Sequence, residues 1–317
     1  MNMTTAKPIS LVLVLALLGL AGFGCSRDAK KNRHMKRANA FLQAEQYEQA
    51  EIEFINVMRL EKQPNPVVIS QLGQIYQVQG KVTRALSFLR KAKELDPENL
   101  DTRVHLAFLH LTLRQITNAI EEVEFVLKKQ PTNELALEIL ADTPLTTNQV
   151  AEVRQRLISM RPQADQVAGY HAALGKLHSR ARDLKAAEAS FRRAAELNPK
   201  SNSAYWGLGS VLLAQTNVTQ ADEAFKTAVQ LTPIRSIQRL NYANYKIISG
   251  DAEAGKRLIQ ETVAKAPDFL PALTRLAGLY LAETNYAACE ALLKKAANQD
   301  SMNIDAILLN ARVKLAQ

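Results

Sequence analysis

Apolar residues along this chain come in paired stripes with helical spacing, and small residues and prolines punctuate the pairs at a fixed interval. Gly175 and Gly209 lie one interval of 34 residues apart, as do Pro199 and Pro233, and Gly73 and Pro97 fall in the same frame. Units therefore begin at Pro66, Leu100, Glu134, Ala168, Asn202, Ser236 and Leu270. One more precedes them from about Lys31, offset by one residue that falls in Gln63-Pro64-Asn65-Pro66. Apolar residues recurring on one face predict amphipathic helices, two to each interval. No stretch of the repeating region has the strict alternation of a half-buried strand, so the expected fold is all-α.

Within the frame, position 8 and position 20 are small in unit after unit. The pairs are Ala38 with Ala50, Gly73 with Ala85, Ala107 with Ala119, Gly175 with Ala187, Gly209 with Ala221, Ala243 with Gly255, and Ala277 with Cys289. Two antiparallel helices approach closely only where both side chains are small, so these pairs mark the crossing point inside each unit. Larger apolar residues at positions 7, 11 and 24 fill the layer between helices. The fifth unit reads His171, Leu174, Gly175, His178, Ala187, Phe191, Ala194 and Pro199, and the sixth reads Tyr205, Leu208, Gly209, Leu212, Ala221, Phe225, Ala228 and Pro233. The second reads Ile69, Leu72, Gly73, Tyr76, Ala85, Leu89, Ala92 and Pro97. Each proline near position 32 ends a second helix because it has no N–H to continue one, and Gly80 and Gly250 stand where a first helix needs a left-handed cap.

This period and these positions resemble the tetratricopeptide (TPR) repeat family over roughly residues 31 to 317. The resemblance implies an α-solenoid of about eight helix–turn–helix repeats wound into a right-handed superhelix. Units 1–3 are expected over 31–133, an irregular fourth unit over 134–167, units 5–8 over 168–303 and a final helix over 304–317. In the fourth unit Asp142-Thr143-Pro144 breaks the first helix, so a kink or a shortened helix is expected there, with a hinge between two blocks as its possible use. The last segment carries an apolar stripe of Ile307, Leu308, Ala311 and Leu315, which suits either a capping helix or an array that continues further.

The amino terminus has a different pattern. Lys7 precedes an apolar run from Ile9 to Ala21 that ends in Gly22-Phe23-Gly24-Cys25. A short positive region, a brief apolar core and small residues describe a secretory signal peptide, 1–24. A cysteine at the end of such a core resembles the lipobox of bacterial lipoproteins. That resemblance implies cleavage before Cys25, acylation of its thiol, and residues 25–30 as a lipidated tether facing the periplasm. Gly22 and Phe23 depart from the usual Leu-then-small pattern. Arg27, Lys30, Lys31, Arg33, Lys36 and Arg37 follow the apolar run, and only Lys7 precedes it. That asymmetry favours the other reading, a signal anchor that keeps the repeats in the cytoplasm at the inner membrane.

The formal charge of +9 changes little, because outside that cluster basic and acidic side chains are interspersed along helices, without the basic face that nucleic acid requires. No phosphate loop, serine nucleophile motif or zinc-protease helix is present in the sequence. His110, His171 and His178 occupy aromatic slots of the repeat and are expected to pack, and Cys289 takes the place of an alanine. No catalytic residue, metal, cofactor or small-molecule substrate is expected, and the chain reads as a non-enzymatic scaffold. In the TPR family, positions 2, 5, 9 and 12 of the first helices line a concave groove that takes protein segments. The resemblance places Gln74, Val104, Phe108, Leu111, Lys176, Trp206, Leu213, Leu240, Asn244 and Ile247 in that lining, with Trp206 as the expected anchor. The partners it implies are proteins in the groove and a membrane through Cys25. TPR lipoproteins of this kind accompany secretion, polysaccharide-export or outer-membrane assemblies.

Overall fold

A computed structural model describes the backbone of residues 10–317 and the side chains of residues 27–317. Among the described residues there are eighteen helices and no strand. Unit 1 pairs α1 (Ser10–Gln43) with α2 (Tyr47–Leu60), unit 2 pairs α3 (Pro66–Val78) with α4 (Val82–Leu95), and unit 3 pairs α5 (Leu100–Thr112) with α6 (Ile116–Lys129). Unit 4 holds α7 (Glu134–Asp142), α8 (Thr147–Ser159) and a one-turn α9 (Arg161–Ala164). Unit 5 is α10 (Ala168–Arg180) with α11 (Leu184–Leu197), and unit 6 is α12 (Asn202–Ala214) with α13 (Val218–Gln230). Unit 7 is α14 (Ile237–Ile248) with α15 (Ala252–Lys265), unit 8 is α16 (Leu270–Ala282) with α17 (Tyr286–Gln299), and α18 (Ile304–Ala316) closes the series. Consecutive pairs pack side by side as an α-solenoid.

Helix boundaries repeat because their caps repeat. Asn65, Asn99 and Asn133 each cap a first helix, their Oδ1 atoms accepting from Val67 N at 3.0 Å, Thr102 N at 2.9 Å and Ala136 N at 3.0 Å. Asp183, Asn217, Asp251 and Asn285 do the same for second helices. Each such cap satisfies an orphan N–H and is worth about 1 kcal/mol. The small–small crossings are also as the sequence predicts. The alanines of these pairs and Cys289 are fully buried. A Cβ added to Gly73 would meet Leu89 Cγ at 2.6 Å, and one added to Gly175 would meet the Phe191 ring at 2.8 Å.

The seven regular units turn from first to second helix through a residue with positive φ. Gly80 and Gly250 hold that place in two units, but Glu45, Arg114, Arg182, Thr216 and Thr284 hold it in the other five. The turn therefore tolerates a side chain, and the strain of its left-handed backbone is carried by the cap bonds around it, such as Gln115 N to His110 O at 2.8 Å.

Unit 4 departs where the sequence indicates. Its first helix is nine residues long and ends at Asp142, and α8 restarts behind a capping box of Thr146 and Gln149. The core runs unbroken through this unit. One buried cluster takes Val104 and Val126 from unit 3, Leu137 and Leu157 from unit 4, and Tyr170 and Leu177 from unit 5. The final helix packs through Ala306, Leu309 and Val313, whereas Ile307, Leu308, Ala311 and Leu315 all face outward, Leu315 being 88% exposed. The predicted stripe is the free face: the steps of three and then four residues from Ala306 to Leu309 to Val313 set these three on the side of α18 that packs on α17.

First-helix faces and their polar interruption

First-helix positions 2, 5, 9 and 12 do not form one uniform lining. In unit 3, Phe108 is exposed and Leu111 half-buried; in unit 6, Leu213 is exposed and Trp206 half-buried; in unit 7, Asn244 and Ile247 are half-buried. Trp206 also belongs to the core. Its indole packs at a tilt against Phe225 of α13 with ring centroids 4.7 Å apart, and Phe225 in turn meets Tyr245 of α14 at 5.2 Å. Two residues assigned to the lining belong elsewhere. Val104 is 6% exposed and Leu240 is 1% exposed, each inside a core cluster. Slot 5 is buried at Ser70, Ala172 and Thr274 as well, and only the larger Met35, Glu138 and Trp206 stay half-buried there, so this slot faces the neighbouring unit in most of the array.

Between the two apolar stretches the wall is polar and already satisfied. Lys176 donates to Asp142 Oδ2 at 2.8 Å and lies 3.3 Å from Glu138 Oε2. Glu138 also accepts from Ser203 Oγ at 2.9 Å, so one carboxylate ties α7 to the first helices of both following units. Arg180 donates to the Pro144 carbonyl at 2.5 Å and to the Asp142 carbonyl at 3.2 Å. Burial alone would lower the Lys176 pKa, but the facing carboxylates of Glu138 and Asp142 outweigh it and hold the ammonium above its ordinary range. Lys176 is thus a structural cation and not a free groove residue. Asp142 and Lys176 share slot 9 of consecutive units, a charge pair one period apart that the sequence carries in plain view. Gln74 is similarly engaged, donating to Asp101 of the next unit at 2.6 Å.

Two family models for the tetratricopeptide repeat match the sequence, one over residues 172–233 and one over residues 68–99. Both fall in register with helix pairs of the solenoid, on units 5–6 and unit 2. The chain carries tetratricopeptide repeats. No curated protein matches it. Among solved structures, a TPR protein from Parabacteroides merdae is 18% identical, with 90% of this chain and 98% of that one covered at a TM-score of 0.42. MamA from Desulfovibrio magneticus RS-1 is 17% identical, covering 64% of this chain and 94% of its own at a TM-score of 0.37. Pseudomonas aeruginosa pilF is 20% identical, covering 64% and 92% at a TM-score of 0.40.

The remaining titratable groups of the TPR array pack as the slots require. His110 Nδ1 lies 2.6 Å from Gln115 Oε1 and His171 Nε2 lies 2.9 Å from the Asp165 carbonyl. His178 keeps a buried Nδ1 without a partner, and burial, with Arg154 adding to it, lowers its pKa. Burial likewise pushes the Cys289 thiol up, the reverse of what a reactive cysteine needs. Among the described residues no group of three His, Cys, Asp or Glu side chains is placed to hold a metal, and no helix is long and apolar enough to cross a membrane. Cys25 lies outside the residues whose side chains are described.

Proposed function

We propose that this TPR array, a protein-interaction fold, is a non-enzymatic, lipid-anchored scaffold of a bacterial envelope assembly such as a secretion, polysaccharide-export or outer-membrane machine. The observation that carries the binding part is the set of exposed and half-buried apolar side chains on first helices: Phe108 and Leu111 in unit 3, and Trp206, Leu213 and Ile247 in units 6 and 7. Apolar residues left on a concave face suit an amphipathic helix or an extended segment. Attachment rests on the apolar run that ends at Cys25. More than one acyl chain there holds the protein stably, since each buried methylene adds about 0.8 kcal/mol.

The second reading, an inner-membrane anchor with cytoplasmic repeats acting as a regulatory tether, is favoured by the basic cluster at the start of the described side chains. Arg27, Lys30, Arg33 and Lys36 are all exposed on α1, where they suit the cytoplasmic leaflet. Labelling cells with a palmitate analogue separates the two. Label lost in Cys25→Ala, together with a mass corresponding to removal of residues 1–24, is the expected result. An uncleaved and unlabelled chain rejects the lipoprotein and leaves the anchor.

A further inference from the structure

The two ends of the array touch. The turn after α3 meets the linker between units 7 and 8, and the turn after α1 meets the linker between units 6 and 7, across some 190 residues of chain. Leu270 N donates to the Gln79 carbonyl at 3.1 Å, and Gln79 Nε2 donates to Asp268 Oδ2 at 3.3 Å. Asp268, 1% exposed, is held from the other side by Arg235 Nη2 at 2.6 Å. Arg235 then reaches the first unit itself, donating through Nη1 to the Glu45 carbonyl at 3.2 Å, with its guanidinium 4.8 Å from the centre of the Tyr47 ring.

Gly80 shows that the fit is specific to this junction. Five of the seven equivalent turns carry a side chain at positive φ, so the turn itself does not demand glycine. At Gly80 a Cβ would meet Pro271 Cδ at 2.5 Å and Cγ at 2.8 Å, whereas at the equivalent Gly250 nothing lies within 4 Å. The missing side chain is what admits the proline ring of unit 8. Leu270 N–H supports the same conclusion from the other side. As the first residue of α16 it has no carbonyl to bond within its own helix, and Gln79 supplies one.

We propose that Gln79-Gly80 and Asp268–Pro271, braced by Arg235 against Glu45 and Tyr47, form a clasp that shuts the superhelix into a closed turn. The contact consists of a few hydrogen bonds, one cation–π contact and one proline ring, with Gln79 Oε1 left buried and unpaired. A junction so small and polar is reversible. Opening it hydrates Arg235, Asp268 and Gln79 and leaves every unit's own core in place. The closed turn screens the first-helix faces from a partner approaching from the side, and release of the clasp widens the array.

The test is hydrogen exchange of the Leu270 amide with the radius of gyration from X-ray scattering, on the full chain. Gly80→Arg installs the residue that the turns at Arg114 and Arg182 already carry. Gly250→Arg, the same change at the open turn, controls for the cost of arginine at positive φ. A protected Leu270 amide in the parent chain is expected, exchanging about tenfold faster or more in Gly80→Arg with a larger radius, and unchanged in Gly250→Arg. An unprotected Leu270 amide in the parent chain overturns the clasp. So does equal exchange or an equal radius in parent and Gly80→Arg, or an equal effect of the two substitutions. None of these readouts depends on a binding partner.

Discussion

The indole of Trp206 packs against the Phe225 ring while part of it stays open to solvent, so its removal has two separable costs. Trp206→Ala loses packing, though less than the roughly 3–5 kcal/mol of a fully buried tryptophan; a loss of about 2 kcal/mol in urea titration is expected, with helical circular dichroism retained. Partner capture should weaken by about tenfold or more, and unchanged capture would remove Trp206 from the binding face. The histidines carry the pH dependence at this scale. Burial lowers the pKa of His178, and that of His105 against a raising influence of Asp101. A lowered native value means that the unfolded chain binds protons first. Stability from these groups is therefore complete above about pH 6.5 and lost as pH falls through the native values. Thermal unfolding at pH 5.5 and pH 7.5 should show the drop, and His178→Phe should shrink it. That His178 packs was legible from its slot in the repeat. That its Nδ1 ends up without a partner was not, because that depends on which groups neighbouring helices bring near.

At the scale of elements, unit 4 shows how a broken repeat is kept in the array. Asp142-Thr143-Pro144 shortens α7, and the sequence predicts that directly through the missing N–H of proline. What replaces the lost turn is the charge group of Lys176, Glu138 and Asp142, with Ser203 and Arg180 around it. Lys176→Met leaves two carboxylates facing each other and should lower stability by about 1–3 kcal/mol. Adding Glu138→Gln should recover part of that loss, a coupling that a double-mutant cycle in urea measures directly. Because the native pKa of Lys176 is raised, its contribution is full below the ordinary lysine range and disappears only as pH climbs through the higher native value. The difference between wild type and Lys176→Met should therefore be flat from neutral pH to about 10.

At the scale of the whole molecule, an open TPR array is a chain of nearest-neighbour contacts, with stability close to a sum over units and interfaces. The contact of Gln79 and Gly80 with Asp268, Leu270 and Pro271 adds a term between units that are not neighbours. Gly80→Arg should accordingly raise amide exchange in α2, α3 and α16, the elements that the clasp joins, while α7 and α10 in the middle keep their protection. Uniform loosening of all units would point instead to a general loss of stability. Closure also bears on binding. If the first-helix faces take a partner segment, as proposed, association should be faster in Gly80→Arg and unchanged in Gly250→Arg.

The sequence by itself determined the repeat. Period, caps, small crossings and proline stops are local or nearly so, each set by residues within one unit and readable from spacing alone. It also marked the irregular unit and two of the exposed apolar positions on first helices, Phe108 and Leu213. Only the tertiary structure decided that Val104 and Leu240 turn into the core, that Lys176 is tied down, and that the free face of α18 is the one carrying Ile307 and Leu315. The meeting of Gly80 with Pro271 was beyond the pattern for the same physical reason. A repeat fixes how each unit sits on the next, but small angles summed over six units decide whether the ends meet, and no single position in the frame carries that sum.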